Sequence, residues 1–377
     1  MRIAIIGPAW PLRGGIANFN EALARALQKE GHQVRLFSFS LQYPGFLFPG
    51  KTQFESGATP ADLDIDTCIN SVNPISWRKS SRKIKAYQPD LVLVRFWLPF
   101  MGPALGSICK SLRKKIPVIA ITDNVIPHEG RPGDRVFTSY FLKQCHGFIA
   151  MSQSVLSDLD KFNVKGPKKL LAHPIYNIFG EAVDRKLALE KLGLDPDYNY
   201  LLFFGIIRKY KGLDILLEAL SRVDVKKYSV KLLIAGEFYE DDQPYKKFIS
   251  DHQLEQVVVL HDHFIPSDEV KYYFSAASLV TQTYRTATQS GVTQIAYHFG
   301  RPMLVTDVGG LAETVPHGKV GYVTSTQPSV IASSIEDFFL HHREEEMIKN
   351  TQLESKRFEW SVFTQGIMDL LAQVEAR

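Results

Sequence analysis

The fold of this chain is restricted most by an alternation that runs along it twice. Short apolar runs rich in β-branched and aromatic residues are separated by segments of helical period. Continuous apolar runs of that kind are what strands buried on both faces of a parallel sheet require. In the first half they are IAII before Gly7, VRLFSF (34–39), DLVLVRF (90–96), PVIAIT (117–122) and HGFIAMS (146–152). In the second half they are LLFFG (201–205), KLLIAG (231–236), VVVLHD (257–262), SLVTQT (278–283) and PMLVTD (302–307). Helices are expected from Ile16 to a stop at Gly31, near Ser152, at 213–222, 242–252, 267–276 and 291–299, and last at 361–375. Two rounds of such alternation predict an α/β protein of two doubly wound, parallel-sheet domains facing a cleft. The stretch 40–75, rich in Pro, Gly, Phe and Ser, reads as a long irregular connection that exposes Phe46, Leu47 and Phe48. The stretch 170–180 reads as the inter-domain linker.

Composition adds bounds. The chain has 377 residues, 45% hydrophobic and 22% charged, as expected of a soluble globular protein. MRIAIIGPAW reads as a strand and a turn, without the apolar core of a signal peptide, and no apolar run is long enough to span a bilayer. Cys68, Cys109 and Cys145 lack metal-ligand spacing and read as free thiols of a reducing compartment. A cytoplasmic protein is expected, with peripheral contact at the inner face of the membrane. Charge is unevenly divided: residues 1–180 hold 23 Lys and Arg against 12 Asp and Glu, and residues 181–377 hold 21 against 28. The first half is thus the part suited to an anionic surface. Its basic clusters are Arg78, Lys79, Arg82, Lys83, Lys85 and then Lys110, Arg113, Lys114, Lys115. Both read as amphipathic helices with a solvated basic face. They lack the interleaved aromatic platforms of single-strand binders, so no nucleic acid is expected.

The chemistry concentrates at 201–220, LLFFGIIRKYKGLDILLEAL. A buried strand reaches Gly205, then Arg208, Lys209 and Lys211 fall close together, and after Gly212 an apolar helix begins. Helix N-termini offer unbonded backbone N–H groups and partial positive charge, so this arrangement suits a phosphate or diphosphate. A basic surface loop on an ordinary α/β unit has the same composition. Gly14-Gly15 stands before the first helix without forming G-x-G-x-x-G, so the dinucleotide fingerprint is absent. The loop DNVIPHEGRPGD follows the strand at 117–122, at the strand end where open α/β sheets place ligands. His261 and His263 flank Asp262 at a spacing that makes no metal site, and no nucleophile elbow is visible.

Four segments in order carry a family resemblance: Gly14-Gly15, the Pro127-His128-Glu129 loop, the G-x5-K-G loop from Gly205 to Gly212, and FGRPMLVTDVGGLAE from Phe299 to Glu313. The chain resembles the GT-B glycosyltransferases and, within them, the retaining family 4, over nearly its whole length. The resemblance implies two Rossmann-like domains, an acceptor-binding one at 1–174 and a nucleotide-sugar donor one at 175–358, with a helix at 359–377 crossing back to the first. It implies transfer of a sugar from a nucleotide-diphosphate sugar, on UDP or GDP, to an acceptor hydroxyl in surface polysaccharide or glycolipid assembly. Its implied partners are that donor and a sugar or lipid-linked acceptor, with no metal or other cofactor; the basic first half adds an anionic membrane surface. Arg208 and Lys211 are implied as the diphosphate clamp. Gly15 is implied to approach the same diphosphate, with the backbone N–H groups of Ser290, Gly291 and Val292 at the distal phosphate or sugar and Gln289 as a neutral hydrogen-bonding group of the donor site. Glu237, Phe264 and Ile265 are implied to hold the base. His128, with Asp123 as rival, is implied near the transferred sugar.

Two departures stand out. Family members carry Glu-x7-Glu where this chain has Ala287 and Ile295; Gln294 and the neutral Thr286, Thr288 and Gln289 are the polar groups nearby. Relatives also often place a histidine directly after the middle strand, where this chain has Asp123. The same fold with an acid/base pair such as Asp123 and Glu129 suits a nucleotide-sugar isomerase or epimerase, and the missing carboxylates suit an inactive nucleotide-sugar-binding protein.

Overall fold

In a computed structural model of the protein, residues 1–45, 53–54, 58–127, 130–175, 178–287 and 290–377 are described. Phe46, Leu47, Phe48, His128, Glu129, Thr288 and Gln289 lie outside them. The chain forms two compact units: Met1–His173 with Trp360–Arg377, and Pro174–Glu359.

Unit 1 holds a seven-stranded sheet of β1 (Arg2–Ile6), β2 (Gln33–Leu41), β3 (Asp64–Asn70), β4 (Leu91–Phe96), β5 (Val118–Thr122), β6 (Gly147–Ala150) and β7 (Lys168–Leu170), in the order β3-β2-β1-β4-β5-β6-β7. Its helices are α1 (Gly15–Lys29), α2 (Pro74–Tyr87), α3 (Gly102–Leu112), α4 (Asp134–Leu142) and α5 (Gln153–Asp160). Every strand pair is parallel. Central strands are therefore covered on both faces, and every residue of β4 and β5 is buried.

Two strands depart from expectation. β3 lies within the stretch read as an irregular connection. Its sequence, DIDTCIN, is an edge strand with only Ile69 fully buried, so it lacks the apolar run that marks its neighbours. β7 is three residues, KKL, at the opposite edge and overlaps the expected linker. The second basic cluster also differs: α3 ends at Leu112, so Arg113, Lys114 and Lys115 follow the helix rather than continue its face.

Unit 2 holds a six-stranded sheet of β8 (Asn199–Phe204), β9 (Val230–Ala235), β10 (Val258–His261), β11 (Leu279–Gln282), β12 (Met303–Thr306) and β13 (Gly321–Thr324), ordered β10-β9-β8-β11-β12-β13. Around it lie α6 (Arg185–Leu192), α7 (Leu213–Leu220), α8 (Gln243–Asp251), α9 (Val270–Ala276), α10 (Gly291–His298), α11 (Leu311–Thr314), α12 (Pro328–Leu340) and α13 (Glu344–Glu354). The strand pairs are again parallel. Both sheets reverse direction beside their first strand, between β1 and β4 and between β8 and β11. In open sheets the carboxyl ends of strands flanking such a reversal leave a crevice for a ligand.

The last helix, α14 (Trp360–Glu375), belongs to unit 1. Phe363 meets Phe19 of α1 edge-on at 5.6 Å. Asp369 accepts from Lys169 of β7 at 2.6 Å, and Thr364 donates to Glu30. No helix among the described residues is long and apolar enough to cross a membrane.

Candidate functional site

At the reversal of the second sheet, β8 ends at Phe204 and the chain turns through Gly205. Gly205 has φ +91°, and a Cβ there would lie 3.1 Å from Lys211 Nζ; a side chain would crowd the ammonium. Ile207 bonds across to the loop after β9, donating to the Glu237 carbonyl at 2.9 Å and accepting from Tyr239 N–H at 3.0 Å. Arg208 is extended and lies over the Tyr239 ring at 5.4 Å. A single 3-10 turn, Lys209–Lys211, then brings the chain to Gly212 and into α7. Gly212 has φ +66°, and a Cβ there would run into the Thr283 carbonyl. Thr283 also donates from Oγ1 to the Gly212 carbonyl at 2.7 Å, tying the loop to the end of β11. Glu240 braces the same turn by accepting from the Lys209 N–H at 2.7 Å and from the Tyr245 hydroxyl.

The consequence is a buried cation. Lys211 is only 8% exposed. Neither it nor Arg208 has an acidic partner among the described residues. Lys211 Nζ stands 5.7 Å from the Tyr284 ring centroid. Burial, with the Arg208 charge adding to it, pulls the ammonium's pKa down to about 8. Lys209, by contrast, is exposed.

Facing this loop within the unit is the start of α10. Ser290 is its N-cap residue but makes no capping bond; its hydroxyl pairs instead with the Tyr284 hydroxyl at 3.2 Å. A Cβ on Gly205 would lie 4.0 Å from Val292 Cγ2. The structure thus brings Lys211, Tyr284, Ser290, Gly291 and Val292 together, while Gln289 lies outside the described residues. Beneath them Thr293 donates to Gln282 Oε1 at 3.0 Å. Gln294 is 2% exposed, and its Oε1 and the buried Gln282 Nε2 have no partner among the described residues. Glu237 follows β9 and is half-buried. After β10, Phe264 is 64% exposed and Ile265 is buried. His261 Nδ1 lies 2.9 Å from the Tyr273 hydroxyl, which occupies one face of that turn. Thr283, Tyr284, Tyr239 and Glu240 were not singled out in the sequence. Only the pairing of an aromatic with a charged residue, Tyr284-Arg285 and Tyr239-Glu240, hinted at them.

In unit 1, Asp123 directly follows β5. Both of its oxygens accept from Arg95, Oδ2 from Nε at 2.6 Å and Oδ1 from Nη2 at 2.5 Å. Arg95 is 2% exposed, its guanidinium lies over Phe19 at 3.9 Å, and its buried Nη1 has no partner among the described residues. Burial pushes the Asp123 carboxyl upward and the Arg95 charge opposes that. His128 lies outside the described residues. Gly15 opens α1 after Gly14, whose φ is +117°. Among the described residues no group of three or more His, Cys, Asp or Glu is gathered as a metal site.

Two Rossmann-like units, each with its sheet reversal, define the GT-B fold, and the second unit carries a buried cation at that reversal. Two family models match in succession: Glycosyltransferase Family 4 over residues 13–173, and Glycosyl transferases group 1 over residues 198–340. The chain is a glycosyltransferase-family protein of GT-B fold, related to family 4. It is 17% identical to the solved sucrose-phosphate synthase of Thermosynechococcus elongatus, covering 100% of this chain and 99% of that one with a TM-score of 0.76. It is 18% identical to Anabaena HepE, solved in complex with UDP, over 99% of this chain and 100% of that one, with a TM-score of 0.73. Among curated proteins it is 25% identical to an uncharacterised glycosyltransferase of Methanocaldococcus jannaschii, over 62% of this chain and 61% of that protein. The matched stretch is thus less than two thirds of that relative's length.

Proposed function

We propose that this protein transfers a sugar from a nucleotide-diphosphate sugar to an acceptor hydroxyl, with the donor on unit 2 and the acceptor on unit 1. The observation that carries this reading is Lys211: a cation buried with no acidic partner among the described residues, at the carboxyl end of strands flanking a sheet reversal. Burying an unpaired ammonium is costly. A diphosphate would supply the missing charge.

The chemistry follows from the charge. As the bond between the sugar's anomeric carbon and the diphosphate oxygen breaks, negative charge grows on the departing phosphate. Arg208 and Lys211 are fixed before the reaction and neutralise that charge as it forms; removing one such group raises a barrier by about 3 kcal/mol. Backbone N–H groups of Gly291 and Val292 at the start of α10 add the partial positive charge of a helix end. The turn at Phe264 and Ile265 holds the base, with the exposed Phe264 ring as its apolar surface, and Glu237 sets a carboxylate beside it. The UDP bound in the Anabaena relative supports a uridine nucleotide as donor.

Retention of configuration is part of the proposal. The acceptor oxygen bonds to the anomeric carbon on the face the diphosphate leaves, and its proton passes to the departing phosphate. Asp123 has both oxygens held by Arg95, so it suits shaping the loop that carries His128 better than taking a proton. His128 is then the group proposed beside the transferred sugar, and Gly15 the backbone approach from unit 1. The excess of basic residues in the first half suits an anionic, lipid-linked sugar acceptor of surface-polysaccharide or glycolipid assembly. Incubation with UDP- and GDP-sugars and lipid-linked acceptors tests the reading. Acceptor-dependent release of the nucleoside diphosphate supports transfer. Sugar interconversion without acceptor, or binding without turnover, overturns it.

A further inference from the structure

We infer that the groove between α2 and α3 seats the phosphate headgroup of an anionic phospholipid. The groove is a cavity of about 480 Å³ within unit 1. Its α2 wall is formed by positions 74, 77, 78, 81, 82 and 85, which recur three and four apart and so share one face of the helix. Arg78, Arg82 and Lys85 come from that face and Lys110 from α3, and no acid lines the groove. None of these four cations makes an ion pair or side-chain hydrogen bond among the described residues.

Part of the same helix is matched differently. Lys83, on another side of α2, donates to both oxygens of Asp66 at 2.9 Å. Arg35 of β2 is matched with Asp64 of the edge strand β3 at 2.6 Å. Lys83 and Arg35 are thus neutralised, whereas the four groove cations converge on one cavity and are left to repel one another. An anion placed among them removes that repulsion and gains charge-assisted hydrogen bonds. The other polar groups of the lining are already engaged: the Trp77 indole donates to the Asn70 carbonyl at 2.8 Å, and the Tyr140 hydroxyl pairs with Ser107 at 3.1 Å.

A lipid fits better than free phosphate because of what flanks the groove. At the N-terminal end of α2, beside Pro74, Val72 is 49% exposed and Ile75 is 65% exposed. A soluble anion makes no use of such side chains, whereas the boundary between headgroups and acyl chains does. The inference stands apart from the donor reading, since it concerns unit 1 and requires no nucleotide.

The test is co-sedimentation of the full chain with phosphatidylcholine vesicles, with and without phosphatidylglycerol. Three proteins are compared: wild type; the groove variant Arg78→Gln/Arg82→Gln/Lys85→Gln/Lys110→Gln; and a control, Lys79→Gln/Lys114→Gln/Lys115→Gln/Lys143→Gln. The control removes equal charge from exposed positions outside the groove. Partitioning onto the anionic vesicles should fall at least about tenfold in the groove variant and less than about twofold in the control. Ile75→Ser should weaken partitioning with the cations intact. If the groove variant melts early, Arg78→Gln/Lys110→Gln takes one charge from each wall and should still cost about fivefold. Equal loss in groove and control variants would assign binding to diffuse charge and overturn the inference. Absence of wild-type binding to anionic vesicles would do the same. So would groove-dependent binding of inorganic phosphate without vesicle binding, which would make free phosphate the ligand.

Discussion

Replacing Lys211 with methionine should make the ligand-free protein more stable at neutral pH while removing its hold on a diphosphate. Lys211 is 8% exposed, and its pKa falls from the ordinary 10.5 to about 8. At about 1.4 kcal/mol per unit, that drop corresponds to about 3 kcal/mol of destabilisation by the charged form. The sign follows from proton counts. Between pH 8 and 10.5 the unfolded chain holds a proton that the folded chain has released, so stability rises with pH across that window. Below it the full cost is present. Methionine keeps most of the side-chain length, so the gain is not lost to a cavity. Urea unfolding followed by tryptophan fluorescence and far-UV circular dichroism at pH 7 and again near pH 10 measures the difference. The variant should be more stable by up to about 3 kcal/mol at pH 7, with the gap narrowing as pH rises. A variant destabilised at pH 7 would refute the reasoning, because it would mean that the ammonium has a structural partner.

Diphosphate binding should itself weaken with pH, by more than about tenfold from pH 7.5 to 9.5, as the Lys211 ammonium loses its proton; calorimetric titration with UDP checks this, and Lys211→Met should flatten the profile. Arg208→Ala should lower kcat/KM by about a hundredfold or more with little change in melting temperature, since Arg208 makes no ion pair among the described residues. Gly212→Ala should cost more than about 2 kcal/mol in urea unfolding, from a positive φ and a collision with the Thr283 carbonyl. Tyr284→Phe keeps the ring beside Lys211 and loses the bond to Ser290, so the expected loss of stability is about 1 kcal/mol, read by the same unfolding.

The parts of the fold that were legible in the sequence are those where burial leaves one chemical option. Strands β4, β5, β8 and β9 lie inside parallel sheets and read as apolar runs because water touches neither face. β3 and β7 lie at sheet edges, where Asp64, Asp66, Lys168 and Lys169 meet solvent or counter-ions, and the periodic signal disappears. The cationic loop was legible because its glycines and cations are consecutive. Its supports were not. Thr283 reaches Gly212 across 71 residues, and Glu240 reaches Lys209 across 31. Such contacts are set by strand order, which brings β9 and β11 to either side of β8. The burial of Lys211 is likewise a property of that neighbourhood; residue type does not separate it from the exposed Lys209, and only the resemblance at the G-x5-K-G loop singled it out.

The account rests on Lys211 and Arg208 as a clamp for a diphosphate, and the most direct measurement compares UDP with uridine, and GDP with guanosine, by calorimetric titration of wild type, Lys211→Met and Arg208→Ala. The account predicts that each substitution weakens the diphosphate about tenfold or more for the nucleotide the protein prefers, and leaves the matching nucleoside within about twofold. Diphosphate affinities unchanged by both substitutions would contradict it.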